Sequence, residues 1–210
     1  MNNPPIYVVL TSYPPRIGNV PRVLDTIRAQ SVKPDGIILI LAEEDRDLQK
    51  VVQNYADCIV YFVEENTKAW KKFLPAFPII PDDALIVTID DDRLYERGMI
   101  EEMLEVHKQF PDAPISGNHY SFRGLKCHCG NASMVQKKHF AGWEQYYHLW
   151  EAAPSIDIFC TMLAHKNGFD YVQTPRDWEH TTPIYNEGKS FSWRGMVPKS
   201  WDIIEKAFNS

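Results

Sequence analysis

The chain has 210 residues, with 22 Lys and Arg against 28 Asp and Glu, so its formal net charge is −6 with the 7 histidines neutral. A chain of about 200 residues fits one domain that can bury roughly 70% of its unfolded surface without disulfide or metal staples, and 44% hydrophobic with 24% charged residues excludes disordered and fibrous classes. An acidic chain with no basic block is unsuited to general nucleic-acid binding, which needs clustered Lys and Arg, and no apolar run approaches the roughly 20 residues of a membrane-spanning helix.

The first half alternates. Ile6 to Leu10, Gly36 to Leu41, Cys58 to Val63 and Ala84 to Ile89 are short, continuous apolar runs rich in Val and Ile. Such runs predict central strands of a parallel sheet, buried on both faces. Between them, Val20 to Gln30, Asp45 to Tyr55 and Thr67 to Phe77 read as helices, and Gly98 to Phe110 is an amphipathic helix closed by Pro111. Strand followed by helix, repeated, predicts an α/β fold with a doubly wound, mainly parallel sheet and helices on both faces.

The second half is less regular. A strand is expected within Pro114 to Phe122 and another at Phe169 to Thr174, with helices at Trp143 to Ala153, Asp157 to Lys166 and Trp201 to Phe208. A stretch rich in Pro, Gly and Ser runs from Pro175 to Pro198. Cys58 and Cys160 sit in apolar runs and read as core. Cys127, His128 and Cys129, with His119 and His139 nearby, supply zinc-type ligands, but zinc sites favour C-x-x-C over C-x-C, so free thiols on a loop or edge strand are expected. The start, MNNPPIYVVL, has no basic n-region and no apolar stretch of about 7 to 15 residues, which predicts a cytoplasmic location.

Ligand sites in open α/β sheets form at the carboxyl ends of the strands. The first run ends in Thr11-Ser12-Tyr13-Pro14-Pro15-Arg16, the second in Glu43-Glu44-Asp45, the third in Glu64-Glu65-Asn66 and the fourth in Asp90-Asp91-Asp92. Two carboxylates about 5 Å apart repel by about 3 kcal/mol at an effective dielectric near 20, so three in a row beside a buried strand are costly unless protonated, solvated or cation-bound. Their oxygens are hard ligands that suit Mg²⁺ or Mn²⁺. The structural alternative is that Asp92 caps a following helix. Lys68, Lys71 and Lys72 open a cationic segment in an otherwise acidic chain; it is either a solvated face or a phosphate-facing one.

Four stretches in order, Val9 to Ile17, Ile38 to Glu44, Lys71 to Phe77 and Ile86 to Tyr95, together resemble small bacterial glycosyltransferases of the GT-A fold over about the first 125 residues. The resemblance implies a GT-A type, Rossmann-like single domain over 1–210, with a nucleotide-sugar-binding half to about residue 110 and an acceptor half beyond it. It implies a DXD motif in which Asp90 and Asp92 are the outer members, Asp92 binding Mn²⁺ or Mg²⁺ and Asp90 facing the nucleotide ribose. Thr11, Tyr13, Arg16, Lys71, Lys72, Asp90 and Asp91 would bind the nucleotide-sugar. His180 would complete the metal shell, or else be structural. Asp157 would be the general base toward a saccharide or glycolipid acceptor, or else a helix cap.

Two features depart from the family's pattern. Ile156 stands where an acidic partner of Asp157 is usual, and Gly130 to Val135 poorly matches a Gly-rich segment. The implied activity is metal-dependent transfer of a sugar from a nucleoside diphosphate donor to a hydroxyl, in bacterial surface glycan assembly near the inner face of the membrane. Trp143, Trp150 and Trp193 are candidates for stacking on sugar, with core packing the ordinary alternative. A non-catalytic domain that binds nucleotide or carbohydrate is the rival reading. A phosphatase of the haloacid dehalogenase type is disfavoured because its Asp-x-Asp normally ends the first strand of the domain.

Overall fold

A computed structural model describes residues 4–117, 119–128, 131–176, 181–184 and 196–210. Strands β1 (Ile6–Thr11), β2 (Gly36–Ala42), β3 (Cys58–Val63) and β4 (Leu85–Ile89) form at the four apolar runs. They join β6 (Ile115–Ser116), β9 (Ala132–Val135) and β10 (Val172–Gln173), which follow the short strand β5 (Arg93–Tyr95) and the hairpin β7 (His119–Phe122) and β8 (Leu125–His128) in the chain. The resulting 7-stranded sheet has the order β10-β6-β9-β4-β1-β2-β3. β9 runs antiparallel to both its neighbours, β4 and β6, and the other pairings are parallel. The fold is therefore α/β and Rossmann-like, with a mostly parallel mixed sheet.

Alternation along the strands divides the core into two layers. Val8, Leu10, Ile37, Leu39 and Val87 face helices α1 (Val20–Arg28) and α2 (Met99–Gln109). Val9, Ile38, Ile40 and Ile86 face Trp70, Phe73 and Phe77 together with α3 (Ile156–Lys166) and α4 (Met196–Phe208). Each such side chain contributes roughly 1.5–3 kcal/mol when fully buried. α1 starts at Val20 with Pro21 in its first turn, where a missing N–H costs nothing, and buries Val20, Val23, Leu24 and Ile27. α2 has no side-chain cap of its own; the buried Gln30 accepts from Ile100 N–H at 3.1 Å and donates to Glu96 carbonyl at 2.7 Å, fixing the helix start from the C-terminal end of α1.

Several elements differ from the sequence expectation. β3 is an edge strand, with Ile59 52% exposed, rather than a central one. Thr67 to Phe77 forms two 3₁₀ turns, Lys68–Lys72 and Leu74–Ile79, with Phe73 between them at φ −153°. Pro75 has no N–H to donate back to Lys71 carbonyl and its ring crowds that turn, so the segment breaks at Phe73 instead of continuing as one helix. Glu43–Val52 is likewise 3₁₀, kinked at Asp45, and Trp143–Trp150 is 3₁₀ with no buried residue. β5, β8, β9 and β11 (Thr181–Pro183) are additional strands. Cys160 is 1% exposed as expected of core, whereas Cys58 is only partly buried. In the β7–β8 hairpin, Arg123 at φ 47° and Gly124 at φ 85° make a turn that matches the right-handed strand twist. No described helix is long and apolar enough to cross a membrane.

Candidate functional site at the carboxyl ends of the parallel strands

All five residues of β4 are buried, and the chain then turns through Asp90, Asp91 and Asp92 into β5. α2 begins seven positions beyond Asp92, at Met99, so Asp92 caps no helix. The turn is clamped from behind by Tyr95. Its buried hydroxyl accepts from Asp90 N–H at 2.7 Å and donates to the carbonyl of Asn131, at the start of β9, at 2.8 Å. A loop ending in three acids is thus rigidly placed between β1 and β9. Asn131 is 8% exposed, and its Nδ2 has no hydrogen-bond partner among the described residues.

The three carboxylates differ in environment. Asp91 is 6% exposed and points inward, where Oδ2 accepts from Ser12 Oγ at 2.6 Å and Oδ1 from Arg16 Nη1 at 3.1 Å. Burial pushes its pKa up, while Ser12 and Arg16 oppose the shift. Asp90 and Asp92 are outward, with side chains 29% and 32% exposed. Asp92 Oδ2 pairs with the same Nη1 of Arg16 at 3.0 Å. Its pKa is raised by burial and then by repulsion from Asp90, against the pull of Arg16, Arg93 and Lys72.

Lys72 is 6% exposed, and its Nζ lies 2.5 Å from Asp90 Oδ1. Burial alone would lower the pKa of this ammonium, but the charges of Asp90, Asp157 and Asp92 outweigh it and the net shift is upward. Asp157, on α3, is near enough for its charge to act on Lys72. Ser155, not Asp157, is the N-cap there, accepting from Ile158 N–H at 3.4 Å. Asp157 is half-buried on a helix whose other residues from Ile156 to Ala164 are all buried.

Adjacent residues on a 3₁₀ turn point about 120° apart, and Lys71 accordingly diverges from Lys72. Its Nζ donates to Asn66 Oδ1 at 3.0 Å and to Lys68 carbonyl at 3.2 Å. Burial lowers its pKa, with Asp45, Asp91 and Glu44 opposing. Asn66 in turn donates to Glu44 at 2.6 Å, tying the ends of β2 and β3 together. Behind the lysines, Trp70 is 1% exposed, packs on Phe159 with centroids 4.4 Å apart and donates to Ala153 carbonyl at 2.9 Å, so the turn is anchored to the α3 layer.

Of the residues singled out in the sequence, the structure brings Arg16, Lys72, Asp90, Asp91, Asp92 and Asp157 into one cluster, with Lys71 beside it. Thr11 spends its hydroxyl hydrogen on Ile40 carbonyl at 2.7 Å, a link between β1 and β2. Tyr13 stacks under the Arg16 guanidinium, 5.7 Å from ring centroid to Cζ. His180, Cys129 and Trp193 lie outside the described residues. His139 is fully buried, its Nδ1 accepting from Gln136 N–H and its Nε2 facing Asp112 carbonyl, so both ring nitrogens are engaged and the zinc reading gains nothing from it. No described group of three or more His, Cys, Asp or Glu residues is arranged to hold a metal by itself. Ser12, Asn66, Tyr95 and Asn131 were not singled out individually. Their only sequence signal is position: Ser12 and Asn66 follow strand ends, and Tyr95 follows the acidic turn.

Outward Asp90 and Asp92 are the carboxylates that could offer oxygens to Mg²⁺ or Mn²⁺ if phosphate oxygens completed the shell, and Arg16 and Lys72 already pair with them.

No protein-family model matches the chain, and no curated protein sequence matches it. Solved structures do match in fold. The S. aureus TarS fragment 1–349 in complex with UDP-GlcNAc aligns with TM-score 0.60 and 10% identity, covering 88% of this chain and 60% of that one. The 4-diphosphocytidyl-2C-methyl-D-erythritol synthase of Anaerococcus prevotii aligns with TM-score 0.55 and 11% identity over 96% of this chain and 99% of that one. Another solved 4-diphosphocytidyl-2C-methyl-D-erythritol synthase aligns with TM-score 0.56 and 10% identity, over 93% of this chain and 100% of that one. At such identities the likeness establishes a shared GT-A-like fold.

Proposed function

We propose that this chain is a metal-dependent glycosyltransferase that moves a sugar from a nucleoside diphosphate donor to a hydroxyl of a saccharide or glycolipid acceptor, in bacterial surface glycan assembly. The observation that carries the reading is the convergence, at the carboxyl ends of β1 to β4, of outward Asp90 and Asp92 with Arg16, Lys72 and Asp157, Lys71 lying beside them. A fold shared with a UDP-GlcNAc-bound protein supports it.

Sugar transfer breaks the bond between the anomeric carbon and a phosphate oxygen and leaves negative charge on the diphosphate. Arg16, Lys72 or the neighbouring Lys71 would supply cations where that charge develops. Asp90 and Asp92 would hold Mn²⁺ or Mg²⁺, which when bound adds Lewis-acid stabilisation of the leaving diphosphate. In an inverting transfer, Asp157 would accept the acceptor hydroxyl proton as the new glycosidic bond forms. Asp91 and Ser12 position the loop and stay on the protein side. His180 is proposed as a further metal ligand, and Thr11 and Tyr13 as the wall of the nucleotide pocket.

The decisive experiment is calorimetric titration of Mn²⁺ with a panel of nucleotide-sugars into the native protein, Asp92→Ala and Asp157→Asn. Asp92→Ala is expected to lose donor binding by at least tenfold. Asp157→Asn is expected to keep it while losing transfer. Equal donor binding by native protein and Asp92→Ala overturns the reading. Donor and metal binding with no transfer or donor hydrolysis by the native protein would instead assign a non-catalytic nucleotide-binding domain, the alternative that Ile156 in place of an acid favours.

A further inference from the structure

Each acidic side chain of the turn already has a cation of the protein against it. A single atom, Nη1 of Arg16, lies 3.1 Å from Asp91 Oδ1 and 3.0 Å from Asp92 Oδ2, and Lys72 Nζ holds Asp90. The two cations are not equally fixed. The Lys72 side chain is 7% exposed and lies in the combined field of Asp90, Asp157 and Asp92. The Arg16 side chain is 22% exposed, on the loop after β1, and rests against the ring of Tyr13. If Arg16 swings off Asp92, buried Asp91 keeps the Ser12 hydroxyl at 2.6 Å, so its carboxylate is not orphaned. A dication approaching Asp92 meets the guanidinium on the very oxygen edge it needs. A diphosphate, by contrast, offers pairs of oxygens that a guanidinium can take bidentately, a better match than a carboxylate shared through one nitrogen.

We propose that Arg16 is an exchangeable counter-cation: a diphosphate draws its guanidinium off Asp92, and only then does Asp92 accept a dication, so metal and diphosphate bind as a coupled pair and metal alone binds weakly. The proposal rests on the metal-dependent reading of this site and adds its order of assembly. By linkage, the metal and the diphosphate each raise the affinity for the other by the same factor.

The test is isothermal titration at fixed ionic strength with two base-independent probes, Mn²⁺ alone and inorganic pyrophosphate alone under chelator. Relative to the native protein, Arg16→Gln is expected to bind Mn²⁺ alone at least tenfold more tightly, about 1.4 kcal/mol, and pyrophosphate alone at least tenfold more weakly. A merely structural Arg16 would weaken both, so the opposite signs are the signature. Arg16→Lys keeps the charge but loses the span between two carboxylates; it is expected to shift at least threefold in the same two directions, and it carries the test if Arg16→Gln does not fold. Unchanged Mn²⁺ affinity, or loss of affinity for both probes, overturns the proposal. The two readings fail differently. If native protein binds neither probe, singly or together, sugar transfer falls as well. If Asp92→Ala abolishes Mn²⁺ binding in the presence of pyrophosphate while Arg16→Gln leaves Mn²⁺ alone unchanged, only the exchange mechanism falls.

Discussion

The hydroxyl of Tyr95 takes the backbone N–H of Asp90, five positions earlier in the chain, at 2.7 Å. Through its second bond, to Asn131 carbonyl at 2.8 Å, one phenol fixes the acidic turn to the antiparallel strand β9. Tyr95→Phe deletes the oxygen and leaves a buried donor and a buried acceptor without it. An unsatisfied buried polar group costs about 1–3 kcal/mol, so a loss in that range is expected in urea denaturation, with weaker Mn²⁺ and pyrophosphate binding as the turn loosens.

Ser12→Ala removes the shortest contact of buried Asp91. A hydrogen bond to a charged group contributes about 1.5–3 kcal/mol, and the loss should be of that size at neutral pH. Because burial already raises the pKa of Asp91 and Ser12 opposes that shift, the variant's pKa rises further. Its deficit is therefore greatest where Asp91 is ionised and shrinks as pH falls through that raised pKa. Urea midpoints for native and variant protein at several pH values check both size and trend.

Asp92→Asn should behave in the opposite way. Burial and Asp90 push the Asp92 pKa up, so its ionised form is held at some cost to the fold. Neutralising it is expected to leave stability unchanged or slightly raised by thermal denaturation, while Mn²⁺ binding in the presence of pyrophosphate is lost. A site strained for function commonly shows this trade.

His139 supplies a pH dependence away from the site. Burial lowers its pKa to about 4, with the nearby charges of Lys138 and His107 adding to it and the Asp112 carbonyl opposing. The unfolded chain, with an ordinary value near 6.5, then binds more protons between these two pKa values, so stability falls as pH drops through that window. The contribution, fully present above pH about 6.5, amounts to roughly 3 kcal/mol by linkage. His139→Gln should flatten this segment of the stability-versus-pH curve relative to the native protein, measured by urea denaturation from pH 7.5 to pH 4.

The strands that carry the site were readable because they are continuous apolar runs. IYVVLT, GIILILA and LIVTI have few competing arrangements once a sheet forms, and the acids that follow stand out against them. β9 was not readable. ASMV is four residues of mixed character, and it is buried because β4 and β6 flank it, which is a property of the neighbours. The lysine segment differs from expectation for a local reason: its apolar spacing fits a helix, but Pro75 and Pro78 shorten it into 3₁₀ turns, and Lys71 and Lys72, adjacent on the first of them, meet different partners.

Sequence alone determined the α/β alternation, the placement of three acids at a strand end and the presence of Arg16, Lys72 and Asp157 in the chain, since composition and short-range periodicity specify those things. Only tertiary structure decided which acid turns inward and which cation each one meets. Ser12 and Arg16 reach Asp91 across 79 and 75 positions, and Lys72 pairs with Asp90 while the charge of Asp157, on another element, also acts on it. Contacts over such separations are set by how strands order in a sheet and which layer covers each face, and no local pattern of residues encodes that choice.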